Sequence, residues 1–281
     1  MNLFERIWRS SLGKKYVMAV TGAALFVFTI GHLIGNLQVF GPPELINTYA
    51  HFLKSKPSLL WGARLGLLAC VTLHIMAAVS LAAANRSARP VGYDGGTTYG
   101  STVRSRYMLV SGLVILAFVV YHLAHFTALL PGVNGTGDFR RLTTDLHGEK
   151  VADVYAMMLL GFQVWWVVLF YLVAQGLLFM HLGHGLSAMF QSVGFRDHVW
   201  WPRFELFAKV ASIALFVGYA SIPVSIYLRV VGHDYAERAR QQFSSSGRPV
   251  AGAGFVAAQA PSAGAKDLKD QRDPTDGKEE R

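Results

Sequence analysis

The residues of this chain best suited to chemistry are its histidines. Ten occur in 281 residues, and six of them fall inside long apolar stretches. The six are His32, His74, His122, His125, His181 and His184. A polar imidazole in lipid is costly unless it faces the interior of a helix bundle and has a partner there. A neutral imidazole is also the commonest side-chain ligand for metal ions. The positions therefore indicate either hydrogen bonding between helices or metal ligation.

Five apolar stretches are long enough to carry these histidines through a membrane, since a helix needs about 20 apolar residues to cross a ~30 Å hydrocarbon core. Of the chain, 52% is apolar and 15% is charged, and the mean hydropathy is +0.34, which excludes a disordered chain and argues against an ordinary soluble domain. We therefore expect an all-α, polytopic membrane protein. The predicted spans are Val17–Gln38, Leu59–Ala84, Tyr107–Leu130, Gly161–Phe190 and Lys209–Leu228.

The fourth stretch is long enough for two short spans, but it contains no Pro and no polar turn cluster. One extended helix is the simpler prediction. It would begin near Asp153, outside the hydrocarbon, and would place Trp165 and Trp166 at the interface, where aromatic side chains concentrate. The whole chain then divides into a cytoplasmic segment at 1–16, a membrane domain at 17–228 and a polar, disordered tail at 229–281.

Basic residues predict how the spans are oriented. Lys and Arg number four in residues 1–16, four in 85–106 and three in 196–209, against two in 39–58 and three in 131–153. This bias places the N-terminus in the cytoplasm and the C-terminus outside, as in a multi-pass protein of a bacterial cytoplasmic membrane. The net charge is +9, but the basic residues border the spans and form no basic stripe with interleaved aromatics, so we expect no nucleic-acid partner.

The rise of ~1.5 Å per helical residue places four of the histidines at two depths. His32 lies about six residues (~9 Å) and His122 about eight residues (~12 Å) from the outer ends of the first and third spans. His74 lies about ten residues (~15 Å) and His181 about nine residues (~14 Å) from the inner ends of the second and fourth. Four antiparallel helices thus supply an outer pair and an inner pair.

Two imidazoles at equal height, one from each of two helices, suit the axial positions of a haem iron. We expect the first four helices to form a bundle around two bis-histidine haems. Zinc fits less well, because its ligands would have to converge at one level and no Cys or carboxylate lies nearby. A single buried histidine is more often a hydrogen-bonding residue between helices. His125 and His184 follow candidate ligands by three residues, so spacing alone does not choose within either couple.

Several ordered motifs extend this reading to a family. The chain contains SSLGKKYVMAVTG before the first span, GHLIGNLQVF and YAHFLKSKP around its end, then LHIMAAV, VYHLAHF and HLGHGLSAMFQSVG. Over about residues 7–228 it resembles the five-helix, two-haem cytochrome b membrane-anchor subunit of succinate dehydrogenase or fumarate reductase. The family pattern selects His122 over His125, and it selects His181, which stands four residues before Gly185-Leu186, over His184.

The resemblance implies an anchor for two partner subunits, a flavoprotein with FAD and an iron–sulfur protein, on the cytoplasmic side. Electrons from succinate oxidation would pass through an inner haem at His74 and His181 and an outer haem at His32 and His122 to a membrane quinone, with menaquinone expected. The chain itself has no residues for succinate oxidation, so it contributes electron transfer and quinone reduction to an enzyme complex of the respiratory chain and the tricarboxylic acid cycle.

Further contacts are predicted around these sites, with alternatives for each. Arg64, the charge inside the second span, pairs with a haem propionate, reaches outward to the interface or binds a quinone, and Asn36 could contact the same group. His125 and His184 would hydrogen-bond a propionate or a quinone. The remaining two residues, Ser11 and Lys14, contact the iron–sulfur subunit or a quinone, or serve only as an interfacial anchor.

Two other functions compete with this one. The chain could be the haem b anchor of another quinone-linked complex, such as a hydrogenase or a formate dehydrogenase. It could also be a haem-free scaffold or transporter in which the histidines bridge helices or relay protons.

Overall fold

A computed structural model describes residues 2–88 and 107–245 of the chain. The described residues are mostly helical (78%). Within the described residues, five helices are long and apolar enough to cross a membrane, which confirms the predicted number of spans. They are α2 (Ser11–Leu37), α4 (Pro57–Ser87), α5 (Met108–Phe126), α7 (Trp165–Ser192) and α8 (Trp201–Tyr227). This is the architecture of a multi-pass membrane protein.

Shorter elements precede and join these spans. An N-terminal helix, α1 (Leu3–Arg9), is capped by Asn2, and Ser10 caps the start of α2 by accepting a hydrogen bond from the backbone of Gly13. A 3-10 turn at Gln38–Phe40 ends the first span. Amphipathic α3 (Pro43–Lys54) then leads to α4, and both helices begin with Pro, which is well suited to the first helical turn.

The spans form a bundle in which α2 and α7 lie side by side. Helix α4 packs on α2, α5 packs on α7, and α8 packs along α7. Helices α2 and α5, and likewise α4 and α7, are the diagonal pairs of this arrangement, which pack little against each other. Much of each span is exposed, as expected for helix surfaces that face lipid.

A cap covers the bundle at the end where α2 finishes. It consists of α3, an antiparallel hairpin of β1 (Thr143–Leu146) and β2 (Glu149–Ala152), α6 (Val154–Gly161), and α9 (His233–Ser245). Helix α6 is almost completely buried between α3 and α9. Its apolar residues therefore form the core of the cap.

The fourth stretch forms one span, as predicted, but the prediction that its helix begins near Asp153 is wrong, because the helix is interrupted between Gly161 and Trp165. Asp153 caps α6 by accepting a hydrogen bond from the backbone of Ala156 at 3.0 Å. Phe162, in the break, is buried against Phe126 and Tyr171. We attribute the break to this aromatic packing. The sequence has no local turn signal there, so the break could not be predicted from it.

The tail also differs from the prediction, since residues 233–245 are helical and not disordered. The hydroxyl of Tyr235 donates to the Asp153 carboxylate at 2.7 Å, and Ala236 and Ala239 are buried in the cap. Burial and the Asp153 carboxylate raise the pKa of Tyr235 to about 12, so the phenol keeps its proton and can donate it. The predicted disorder of 246–281 lies outside the described residues.

Candidate functional site

The rings of His32 and His122 meet across the α2–α5 diagonal. Their centres are 5.7 Å apart, with the two planes at 83°. Phe28 stacks on His32, with ring centres 5.3 Å apart, and Phe118 stacks on His122 at 5.8 Å. Each ring thus stacks on an aromatic residue one turn earlier in its own helix.

The rings of His74 and His181 meet across the other diagonal, between α4 and α7. Their centres are 6.4 Å apart and their planes are inclined at 57°. Since these helices pack little against each other, the two side chains span a gap between backbones. Both predicted pairs are therefore brought together by the fold.

The separation within each pair suits a shared iron atom. An imidazole nitrogen binds a metal at about 2 Å, and the ring centre lies about 1 Å behind that nitrogen, so two axial imidazoles have centres about 6 Å apart. The observed values lie on either side of this distance. Two imidazoles on opposite sides of one iron are the arrangement that a bis-histidine haem would use. In the described ranges, no group of three or more His, Cys, Asp or Glu side chains is placed to hold a metal ion.

A hydroxyl from the neighbouring helix supports each ring of the His74–His181 pair. Thr21 Oγ1 lies 3.2 Å from Nδ1 of His74, and Ser111 Oγ lies 3.2 Å from Nδ1 of His181. A glycine follows each hydroxyl residue. A Cβ atom at Gly22 would come within 3.2 Å of His74 Cε1, and one at Gly112 within 3.5 Å of His181 Cε1. The small residues thus let each ring lie close to the adjoining helix.

The same eleven-residue spacing recurs on two helices. Thr21 precedes His32 on α2, and Ser111 precedes His122 on α5, by eleven residues each. Eleven residues make about three helical turns, so both residues face the same side of their helix. One face of each helix therefore supports one histidine pair and contributes a ring to the other, about 16 Å further along.

Tyr171 on α7 connects His122 to His125. Its hydroxyl lies 3.1 Å from Nδ1 of each ring. His125 is fully buried, stacks on Phe126 with ring centres 4.0 Å apart, and has an Nε2 atom without a hydrogen-bond partner among the described residues. That atom faces Gly161, where an added Cβ would lie 2.9 Å away. The geometry therefore favours His122, which faces His32, as the ligand and His125 as a supporting residue.

The other predicted contact residues lie in varied surroundings. Asn36 donates through Nδ2 to the backbone carbonyl of His32 at 2.6 Å, so its amide is engaged within α2. Arg64 is exposed on α4, where its guanidinium lies 5.1 Å from the centre of the Trp61 ring, which favours the outward orientation. His184 is half-buried, three residues beyond His181.

The last two predicted residues, Ser11 and Lys14, lie at the start of α2. Ser11 is exposed there and Lys14 is half-buried. Ser11 lies about three helical turns before Thr21, and Lys14 about two turns before it. This is the end of α2 nearer to the His74–His181 pair.

Sequence reasoning missed the hydroxyl groups and the polar core of the cap. The dipeptides Thr21-Gly22 and Ser111-Gly112 were a usable signal, because each stands eleven residues before a candidate ligand. In the cap, buried Asn47 donates to Asp153 at 3.1 Å and accepts from the backbone of Tyr155 at 3.1 Å. These contacts join residues more than one hundred positions apart and have no local sequence signal.

Comparison of the chain with protein-family models, with curated proteins and with solved structures finds no match.

Proposed function

We propose that the chain is the haem b membrane anchor of a succinate dehydrogenase complex, which passes electrons from an iron–sulfur subunit through two bis-histidine haems to a membrane quinone. The observation that carries the proposal is the presence of two imidazole pairs, 5.7 and 6.4 Å between ring centres, on the two diagonals of one bundle. The ordered motifs of the family add to it.

Four histidines would hold the two groups. His74 and His181 would ligate one iron, and His32 and His122 the other. A bound haem supplies reversible one-electron transfer at its iron. The chain contributes the ligands, the apolar surroundings and the hydrogen bonds to the ligand rings, which together set the electronic properties of such a site.

The two ends of α2 suit different partners. At its start, the exposed side chain of Ser11 is ten residues, or ~15 Å, from the Thr21 level, and the half-buried one of Lys14 is seven residues, or ~10 Å, from it. This end would face the iron–sulfur and flavoprotein subunits, and the positive-inside bias supports a cytoplasmic location for it. The far end meets the cap, beneath which lies His125. The tail beyond the described residues has no assigned part in this function.

Copurification from the native membrane tests the proposal. We expect the full-length chain to bring down a flavoprotein and an iron–sulfur protein that oxidise succinate, and its reduced-minus-oxidised spectrum to show two b-type haems per chain. Hydrogenase or formate dehydrogenase partners would assign the haem anchor to another complex. A chain without haem would instead favour a scaffold or transporter, in which the imidazoles only bridge helices.

A further inference from the structure

The two hydroxyls beside the His74–His181 pair, those of Thr21 and Ser111, also form hydrogen bonds within their own helices. Thr21 Oγ1 donates to the backbone carbonyl of Val17 at 2.7 Å, and Ser111 Oγ donates to that of Met108 at 3.0 Å. A hydroxyl has one proton and two lone pairs. These contacts are shorter than the 3.2 Å contacts to the rings, so each hydroxyl proton is assigned to the carbonyl of its own helix, which leaves the oxygen as an acceptor toward the ring.

The hydrogen bonds of the two hydroxyls indicate which nitrogen of each facing imidazole carries the proton. A hydroxyl whose proton is bonded to a carbonyl of its own helix can only accept from the imidazole, so this assignment puts a proton on Nδ1 of His74 and on Nδ1 of His181. A neutral imidazole has one N–H and one unprotonated nitrogen. In both rings the unprotonated nitrogen is then Nε2, which is the form that binds a metal.

We propose that Thr21 and Ser111 are positioning residues that hold His74 and His181 with the proton on Nδ1, so that Nε2 of each ring is ready to bind the iron of one haem. The inference rests on the proposed function and names the groups that prepare one of its two sites. The two hydroxyls come from α2 and α5, the helices on which the other histidine pair is carried.

The pairing of each hydroxyl with a following glycine supports this role. The ring can be held at Nδ1 only if it lies against the helix that provides the oxygen. A Cβ at Gly22 would stand 3.2 Å from the His74 ring, tighter than ordinary van der Waals contact, and one at Gly112 would stand 3.5 Å from the His181 ring. Partners of this kind, which orient a ligating histidine through its second nitrogen, typically change metal affinity or activity 10–100-fold when removed.

The test uses Thr21→Val and Ser111→Ala in the full-length chain. The matched controls are Thr29→Val and Ser187→Ala, because the hydroxyls of Thr29 and Ser187 also donate to a carbonyl of their own helix, at 2.8 and 3.3 Å. Each control loses the same bond to the backbone without removing an acceptor from His74 or His181. The conservative variant Thr21→Ser keeps the hydroxyl and should rescue the site.

Two measurements are made on each variant. In haem-titration experiments, we expect Thr21→Val and Ser111→Ala to weaken binding 10–100-fold at one of two sites, with a midpoint potential shifted to more positive values there, since loss of the acceptor makes the ligand less electron-rich. The controls and Thr21→Ser should match the wild-type chain. In the haem-free chain, nitrogen NMR of labelled histidine should show Nδ1 protonated in His74 and His181.

The outcomes separate this inference from the proposed function. Wild-type haem affinity in both Thr21→Val and Ser111→Ala would overturn the positioning role, and so would a proton on Nε2 of His74 and His181 in the haem-free chain. If the wild-type chain bound no haem at all, the proposed function would fail with the positioning role, whereas the NMR experiment would still decide the tautomer of both rings.

Discussion

Single and double histidine substitutions should reveal two independent haem sites. The His74–His181 pair lies at the level of Thr21, and His32 stands eleven residues further along α2, which corresponds to about 16 Å. Sites farther apart than about 10 Å with no shared partner usually respond independently to mutation. We therefore expect His74→Ala to lower the haem content from two per chain to one, and to leave the His32–His122 site loaded.

The double variants make the test sharp. His74→Ala with His181→Ala should still hold one haem, because both changes affect the same site, whereas His74→Ala with His122→Ala should hold none. Haem per chain is measured from the pyridine haemochrome spectrum of purified protein, with His147→Ala, in the turn between β1 and β2, as a control. The reasoning is refuted if the His74–His181 double variant loses both haems, or if the His74–His122 variant keeps one.

Three further substitutions test other parts of the structure. Tyr171→Phe removes the hydroxyl beside His122 and should weaken haem binding at that site alone by 10–100-fold. The control is Tyr121→Phe, which removes a hydroxyl that donates to the Val133 carbonyl and should leave haem binding unchanged. Equal effects of the two variants in a haem titration would contradict this. Tyr235→Phe removes the hydrogen bond to the Asp153 carboxylate and should destabilise the packing of α9 on the cap by about 1.5–3 kcal/mol. Backbone amides of α9 should then exchange hydrogen faster. Unchanged exchange rates would argue against the contact. Gly22→Val should displace the His74 ring from α2 and lower haem affinity at one site by about tenfold. Gly31→Ala, where an added Cβ has open space around it, should bind haem normally.

Composition and helical geometry accounted for much of the fold. Long runs without charge predicted five spans, because in lipid every backbone polar group must be bonded within the segment. The rise per residue was enough to predict that His32 would meet His122 and that His74 would meet His181, because it puts the two rings of each pair at similar depths in the membrane. Whether these rings bind haem stays a prediction.

Tertiary packing decided what the sequence could not. The break at Phe162 depends on aromatic rings contributed by other helices, and the segment around it is as apolar as a span. Thr21 would ordinarily be taken as a residue that bonds back to its own helix, which it also does, so its spacing from His32 singles out Thr21 but does not identify His74 as its partner. The Tyr235–Asp153 bond joins two segments that are distant along the chain and had been assigned to different regions.

The separation of the two histidine pairs along the bundle also has an energetic consequence for the proposed function. About 16 Å along α2 is roughly half of a ~30 Å hydrocarbon core. A full crossing is worth about 2.3 kcal/mol per elementary charge at 100 mV, so an electron that moves from one level to the other gains or loses about 1.2 kcal/mol. If residues 1–16 lie on the cytoplasmic, negative side, as their four Lys and Arg predict, transfer from the His74–His181 level to the His32–His122 level runs toward the positive side, and the membrane potential assists it. The opposite orientation would reverse the sign, so the charges that set the topology also decide whether this internal transfer proceeds with the membrane potential or against it.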